Sequence, residues 1–119
     1  MPGAPVKLIW WGEEHMRHGA YHTSTQCKMT GGLDAEGNLV ALHMRISGQS
    51  ILAAVRPEGM QNGKDPVVFQ GLNPGGAEGH LGYTVPNLLI DHAMRNPPIP
   101  PGFWRGVNLN QNALYMECF

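Results

Sequence analysis

Residues 27–46 read CKMTGGLDAEGNLVALHMRI, and this stretch decides the fold. Two extended runs flank DAEG, residues 34–37, which ends in glycine as tight hairpin turns commonly do. The second run alternates in polarity, and its one fully apolar face consists of Val40, Leu42, Met44 and Ile46. We therefore expect a hairpin over 24–48 with one face on a core and the other partly in water.

Shorter elements are predicted on either side of this hairpin. PVKLIWW, residues 5–11, is apolar and aromatic, which is typical of a strand with a buried face. A short helix is expected near 13–18, and Gly19 would end it. Leu88 to Met94 predicts another strand. The chain then closes on a predicted C-terminal helix, with an apolar stripe formed by Leu109, Ala113, Met116 and Phe119.

Residues 49–82 carry turn signals and little periodicity, which predicts a long irregular connection. The patterns together predict an α+β fold, mostly antiparallel and loop-rich, with the hairpin at its centre. The 119 residues are enough for one domain. Charged residues make up 14%, where a free-standing domain carries about a quarter. We therefore expect residues 1–119 to be a single partial domain, cut from a larger assembly.

Composition also limits the partners and the compartment. The formal charge is -1 with eight Lys and Arg residues, so no basic surface for nucleic acid is expected. No run of about 18 apolar residues is present, which argues against a transmembrane segment. The two cysteines, Cys27 and Cys118, fit neither a disulfide framework nor a zinc motif. A reducing compartment is slightly favoured, so the cytoplasm is preferred over the periplasm.

Several clusters could carry chemistry but have ordinary explanations. His15, His18 and His22 have the spacing of a helical zinc site, but Gly19 would end the helix before His22 and no fourth ligand is evident. We expect solvated loop histidines there. The glycines of GLNPGGAEGHLG, residues 71–82, match no phosphate-binding motif and predict a flexible loop. Glu13 and Glu14 are typical dipole partners of a helix start, and Cys118 is typical of a packed helix cysteine.

The stretch PPIPPGFWRGVNLNQNA, residues 97–113, combines several features. Its four prolines favour a stiff, polyproline-like strut. Two glycines then bracket FWR and permit sharp backbone angles. A helix start follows directly, where unpaired N–H groups can face an anion. These features suggest an anion-cofactor contact, but the residues alone equally allow a core Trp104 and an ordinary surface Arg105.

Two blocks of the chain resemble one family. YTVPNLLIDHAMRNPPIPPGFWRGVNLNQNALYMECF resembles the molybdenum-binding large subunit of the xanthine dehydrogenase and aldehyde oxidase family, especially bacterial isoquinoline 1-oxidoreductase beta subunits. PVKLIWWGEEHMRHGAYH, followed by GLDAEGNLVALHMRISGQS, resembles an earlier block of the same subunit. Both blocks occur in this order in the family. The resemblance implies that the chain is an internal fragment of that much longer subunit.

The resemblance implies a cofactor-facing loop. Arg105 matches the arginine of the family's F/Y-R-G loop, whose main-chain amide approaches the cofactor, and Gly106 matches a position that is a cysteine beside the metal in carbon monoxide dehydrogenases. Val107 stands where xanthine oxidases carry a phenylalanine that stacks on purine, which argues against a purine substrate. Asn108 departs from a frequent glycine. The implied cofactor-binding residues are Phe103, Trp104, Arg105, Gly106, Val107 and Gln111, with no catalytic or metal-ligating residue in the chain.

The family's cofactor is a molybdenum-pterin, often in the cytosine dinucleotide form in bacteria. It hydroxylates an N-heterocycle or an aldehyde with water as the oxygen source. The family's glutamate base, in a GxGE context, and its GGGFGGK motif are both missing here, so the chain alone is expected to be inactive. Implied partners are the remainder of its own large subunit, a small iron–sulfur subunit and a small-molecule substrate. The alternative is a non-catalytic β-rich interaction module that uses the proline strut and aromatics as its surface.

Overall fold

The computed structural model describes residues 3–72 and 81–119. Within those ranges it contains a three-stranded sheet and three α-helices, so the α+β class is confirmed. The elements follow the order α1 (Gly12–His18), β1 (Thr25–Leu33), β2 (Leu39–Gly48), α2 (Ile51–Val55), β3 (Asn87–Met94) and α3 (Leu109–Cys118). Two short 3-10 helices lie between α2 and β3, at Pro57–Gly59 and Pro66–Phe69.

The predicted hairpin forms between β1 and β2, which pair antiparallel with Met29 opposite Met44. Asp34 fixes the turn because its Oδ1 accepts hydrogen bonds from the backbone N–H groups of Glu36 and Asn38, at 3.1 and 2.7 Å. Gly37 has φ of 86°, a left-handed conformation that favours glycine. The turn chemistry read from DAEG therefore determines the register of the hairpin.

The third strand corrects one expectation. β3 was predicted as a strand and forms, but it pairs parallel to β2, with Met44 opposite Ile90. The sheet is therefore mixed and not mostly antiparallel. A parallel partner requires a long crossover connection, and the stretch of chain between the end of β2 and the start of β3 supplies its length.

The core lies on the predicted apolar face of β2. Leu42, Met44 and Ile46 are buried, and Val68 and Leu72 of the connection pack on the same side. Asp65 anchors the connection although its side chain is fully buried. Its carboxylate accepts hydrogen bonds from Ser50 Oγ at 2.7 Å and from the backbone N–H groups of Leu52 and Val67, at 3.1 and 2.8 Å. An irregular connection thus becomes a fixed support for the core.

Both predicted terminal helices form, and α1 ends at His18 with Gly19 as its C-cap, as expected. The predicted stripe on α3 is wrong, however. Leu109 and Phe119 are exposed, and the fully buried helix residue is Asn112. Polar Asn112 is buried because backbone carbonyls below α3 require hydrogen-bond donors, a demand that apolar periodicity cannot reveal.

The strand predicted over 5–11 is also wrong. This segment belongs to no strand, and its apolar side chains are exposed, Val6 by 87% and Trp11 by 79%. The chain measures 74 × 27 × 24 Å, with a radius of gyration of 18.6 Å where a compact domain of this length has about 13.5 Å. A strand forms only where another strand pairs with it, and residues 5–11 have no such neighbour in the described chain.

Candidate functional site

The proline strut is docked on the rest of the chain. The N–H of Tyr21 donates to Pro100 O at 3.0 Å, and the N–H of Gly102 donates to Tyr21 O at 2.9 Å. Gln49, itself buried, donates from Nε2 to Ile99 O at 2.8 Å. A Cβ on Gly102 would lie 2.3 Å from that of Ala20, so only glycine allows this approach. The strut therefore delivers the following loop to a fixed position.

The following loop, residues 103–107, is exposed at its tip. Phe103 and Trp104 are 49% and 59% exposed, and Arg105 and Gly106 are exposed as well. The guanidinium of Arg56 lies over the Phe103 ring, 6.0 Å from its centroid. No acceptor for the main-chain N–H of Arg105 or Gly106 is found among the described residues. The loop therefore presents aromatic faces and two available amides.

Two consecutive residues of this loop adopt left-handed backbone conformations. Gly106 has φ of 74° and Val107 has φ of 48°. The second value is unusual because a branched Cβ disfavours this region by about 1–2 kcal/mol. Such strain persists only where surrounding contacts impose it, and it is concentrated at functional sites.

The contacts that hold the strained loop come from several elements. His22 Nε2 donates to Val107 O at 2.7 Å, and the N–H of Val107 donates to Trp104 O at 2.8 Å. Asn110 Nδ2 donates to Arg105 O at 2.8 Å. A Cβ on Gly106 would lie 1.9 Å from Asn110 Oδ1, so the Asn110 side chain occupies that space. The loop is thus held by this chain's own residues.

Below the loop lies a layer of amide side chains. Asn108 is fully buried, and its Nδ2 donates to Val67 O at 3.0 Å while its Oδ1 accepts from Gln111 Nε2 at 2.8 Å and Thr23 Oγ1 at 3.1 Å. Asn112 Nδ2 donates to the carbonyls of Val68 and Gln70, both at 2.8 Å. This layer ties the start of α3 to the core. Its only signal in the sequence is the amide run NLNQN at 108–112.

The structure brings together five of the six predicted site residues and separates the sixth. Residues 103–107 form one continuous loop, whereas Gln111 lies in the first turn of α3 and bonds inward to Asn108. The first helix N–H, that of Leu109, is occupied because it donates to Gly106 O at 2.7 Å. The hydrogen bond of Gln111 to Asn108 therefore supports the loop from below.

The other clusters from the sequence have local roles. No group of three His, Cys, Asp or Glu side chains placed to hold a metal occurs in residues 3–72 and 81–119. His22 instead bonds the loop, and Glu14 lies 3.7 Å from His18 on exposed α1. Residues 73–80 of the glycine-rich stretch lie outside the described residues. Burial raises the pKa of the Cys27 thiol, which disfavours its thiolate.

One charged cluster was not predicted. On the face of the sheet opposite the core, Arg45 and Asp91 form an ion pair at 2.6 Å, and His43 Nε2 lies 3.4 Å from the same carboxylate. These residues come from neighbouring strands, so only the parallel pairing of β2 and β3 brings them together. All three side chains are at least one third exposed, and the pair is typical of a solvated surface.

Fold and site together define a small α+β chain whose strut, strained loop and helix start form one supported surface feature. A scan against protein-family models, a search of curated proteins and a search of solved structures all returned no match. The family resemblance of the sequence blocks therefore stays a prediction. Within the described residues, no helix combines the length and apolarity required to cross a membrane.

Proposed function

We propose that this chain is part of the large subunit of a molybdenum-cofactor hydroxylase and that the loop 103–107 faces the cofactor. The reaction would be hydroxylation of an N-heterocycle or an aldehyde, with water as the oxygen source. The chain supplies no base for this reaction, so the isolated fragment is inactive. The remaining large subunit and a separate iron–sulfur subunit would complete the enzyme.

The observation that carries the proposal is the left-handed backbone of Val107, with φ of 48°. A β-branched residue in this region stores strain, and here the strain is imposed by bonds from His22 and from the buried Asn108 layer. The strain lies in the segment that resembles the family's cofactor loop. A loop selected only for stability would relax this strain by placing glycine at position 107.

The residues of the loop fit the proposed group. A pterin cofactor carries anionic phosphate, and the N–H groups of Arg105 and Gly106, which have no acceptor within residues 3–72 and 81–119, are suitable donors to anionic oxygen. Arg105 adds a positive charge at an exposed position, and Phe103 and Trp104 offer flat apolar faces. When bound, the molybdenum centre would supply the oxygen transfer, whereas this loop would only position the cofactor.

The intact large subunit, purified with its iron–sulfur partner, provides the test. We expect molybdenum in the complex by elemental analysis, and we expect Gly106→Ala to reduce it. Gly37→Ala is the matched control, because Gly37 also has positive φ but lies in the hairpin turn. The proposal is overturned if the unmodified complex contains no molybdenum. It is also overturned if both variants retain equal molybdenum.

A second function, a non-catalytic interaction module, is favoured by a different observation. The apolar side chains of residues 5–11 are exposed in a segment that belongs to no helix or strand, and such a segment could add as a strand to the sheet of a partner. If the chain is an interaction module, a substitution in residues 5–11 would cause the loss of a protein partner and would leave the molybdenum content unchanged. Comparing molybdenum content with partner retention in Trp10→Asp and Gly106→Ala variants separates the two functions.

A further inference from the structure

Both cysteines of the chain line one groove, although they lie far apart in the sequence. The groove has a volume of about 450 Å³ and lies between β1 and α3, lined by Cys27, Met29, Leu114, Tyr115, Cys118 and Phe119. Both cysteines are free thiols. Three of the six lining side chains therefore carry sulfur, and they come from the two elements on either side of the groove.

Two of these sulfur side chains lie on the face of β1 that packs against the core. Cys27 and Met29 are two positions apart, so they point to the same side of the strand. Both are half-buried, whereas Lys28 between them is exposed. In the hairpin they lie opposite two buried residues of β2. The thiol of Cys27 and the thioether of Met29 are therefore neighbours on one surface.

Cys118 reaches the same surface because the end of α3 lies along it. The hydroxyl oxygens of Tyr115 and Thr25 are 2.8 Å apart in a hydrogen bond, which fixes one end of this contact. At the other end, a Cβ on Gly31 would lie 3.3 Å from the Phe119 ring. Cys118 lies between the two contacts along the helix. Its thiol is therefore placed over the stretch of β1 that carries the other two sulfur atoms.

The donors of this groove suit a soft metal ion. Thiolates and thioethers are ligands that Cu⁺ prefers, whereas structural zinc sites take four sulfur and nitrogen ligands. Among the described residues, no His, Asp or Glu lines the groove, and the Tyr115 hydroxyl is already bonded to Thr25. The third donor is the thioether of Met29. The site therefore agrees with the finding that the described chain has no metal-holding group of three His, Cys, Asp or Glu side chains.

The two thiols differ in their exposure. Cys118 is exposed, so an ion can enter from water, whereas Cys27 is half-buried. Burial raises the pKa of the Cys27 thiol, so the metal-free thiol keeps its proton at neutral pH and a bound cation would replace that proton. If the rest of a larger subunit covers the groove, the three sulfur atoms stay in place and water is excluded further.

We propose that Cys27, Met29 and Cys118 bind one Cu⁺ ion in this groove. The ion replaces the protons of the two thiols, which leave to the solvent, and the neutral thioether of Met29 adds the third ligand. No electron is transferred, so the binding step requires no oxidant or reductant. The inference goes beyond the proposed function, because the groove does not include the loop 103–107.

Titration of the reduced, full 119-residue chain with Cu⁺, without oxygen and against a competing coloured chelator, measures the affinity. We expect one ion per chain. Cys27→Ser and Cys118→Ser should each weaken binding at least about a hundredfold, because loss of an outer hydrogen-bond partner of a ligand already costs about 10–100-fold. Equal affinity of either serine variant and the unmodified chain would overturn the proposal.

Two methionine variants form a matched pair for the thioether. Met29→Leu should weaken Cu⁺ binding at least severalfold, whereas Met16→Leu, at an exposed position of α1 outside the groove, should leave it unchanged. Equal affinities of these two variants would contradict the three-sulfur site.

X-ray absorption at the copper edge tests the ligands of the unmodified chain and needs no substitution. We expect sulfur as the only neighbour of the bound ion. Nitrogen or oxygen ligands would overturn the proposal, because they would place the ion at histidines or carboxylates outside the groove.

Discussion

Replacing Gly106 by alanine tests whether the loop conformation depends on the side chain of Asn110. At φ of 74° an alanine pays about 1–2 kcal/mol for the left-handed backbone. Its Cβ would also lie 1.9 Å from Asn110 Oδ1, so the Asn110 amide must turn away. That movement breaks the 2.8 Å hydrogen bond to Arg105 O, a net loss of about 0.5–1.5 kcal/mol. The variant should therefore lose about 1.5–3.5 kcal/mol of unfolding free energy.

The matched control is Gly37→Ala. Gly37 has φ of 86°, and no atom lies within 4 Å of its ideal Cβ, so only the backbone cost of about 1–2 kcal/mol applies. A double-mutant cycle with Asn110→Ala isolates the second contribution. In the Asn110→Ala background, Gly106→Ala should cost about as much as Gly37→Ala, which leaves a coupling of about 0.5–1.5 kcal/mol.

Urea unfolding followed by circular dichroism measures these values, provided that the slope m stays constant across the set. Two results would refute the reasoning. One is an equal loss in Gly106→Ala and Gly37→Ala. The other is the absence of coupling with Asn110, which would mean that this side chain does not fill the space above Gly106.

Three further predictions concern the core and the helix packed on it. Asn112→Ala should cost about 2–3 kcal/mol in urea unfolding because one buried and one partly buried carbonyl lose their donor. Asn110→Ala removes one exposed hydrogen bond and should cost about 0.5–1.5 kcal/mol, so equal losses would contradict the amide layer. Burial lowers the pKa of His92 below its usual 6.5, so the unfolded state binds the proton more tightly and stability should fall as pH drops below about 6.5; His92→Phe should flatten that fall, and an unchanged slope would oppose this assignment. A thiol reagent should label exposed Cys118 before half-buried Cys27, whose pKa burial raises, and mass spectrometry of partly labelled chains would expose the reverse order.

The local elements were predictable because their signals lie in consecutive residues. Asp34 and Gly37 specify the hairpin turn through bonds that span at most four positions. The alternation at Leu42, Met44 and Ile46 gives the buried face directly, and Gly19 marks the end of α1. In each case the signal is a pattern within a short window of sequence, although the face of β2 that it marks is buried by the distant Val68 and Leu72.

The errors share a different physical cause. The segment 5–11 has the composition of a strand, but a strand exists only when an edge pairs with it, and composition does not reveal the edge. The direction of β3 depends on the path of a long connection. Asn112 is buried because its side chain donates to the carbonyls of Val68 and Gln70, which lie more than forty positions earlier. Non-local pairing decided each of these outcomes.

The candidate site was half predictable. Its position followed from the prolines, the glycines and the family resemblance, all readable from the sequence. The residues that support the loop could not be predicted, because their hydrogen bonds join distant positions. His22 bonds Val107 at a separation of 85 positions, and Gln70 bonds Asn108 at a separation of 38. Gln111 is predicted at the cofactor, and in the structure its Nε2 donates to Asn108 Oδ1. Sequence spacing therefore locates the loop and cannot distinguish the residues that face outward from those that hold it.

The hydrogen bonds that hold the loop also affect how strongly a cofactor would be bound. A loop that becomes ordered only on binding loses affinity to the entropy of ordering its side chains and backbone. Here His22, Asn108 and Asn110 already impose the strained conformation through bonds within the chain. The free-energy cost of the strained backbone at Val107 is therefore part of folding, and cofactor binding does not have to supply it. The amides of Arg105 and Gly106 are held in position beforehand, and affinity for an anionic group would gain from that preorganisation.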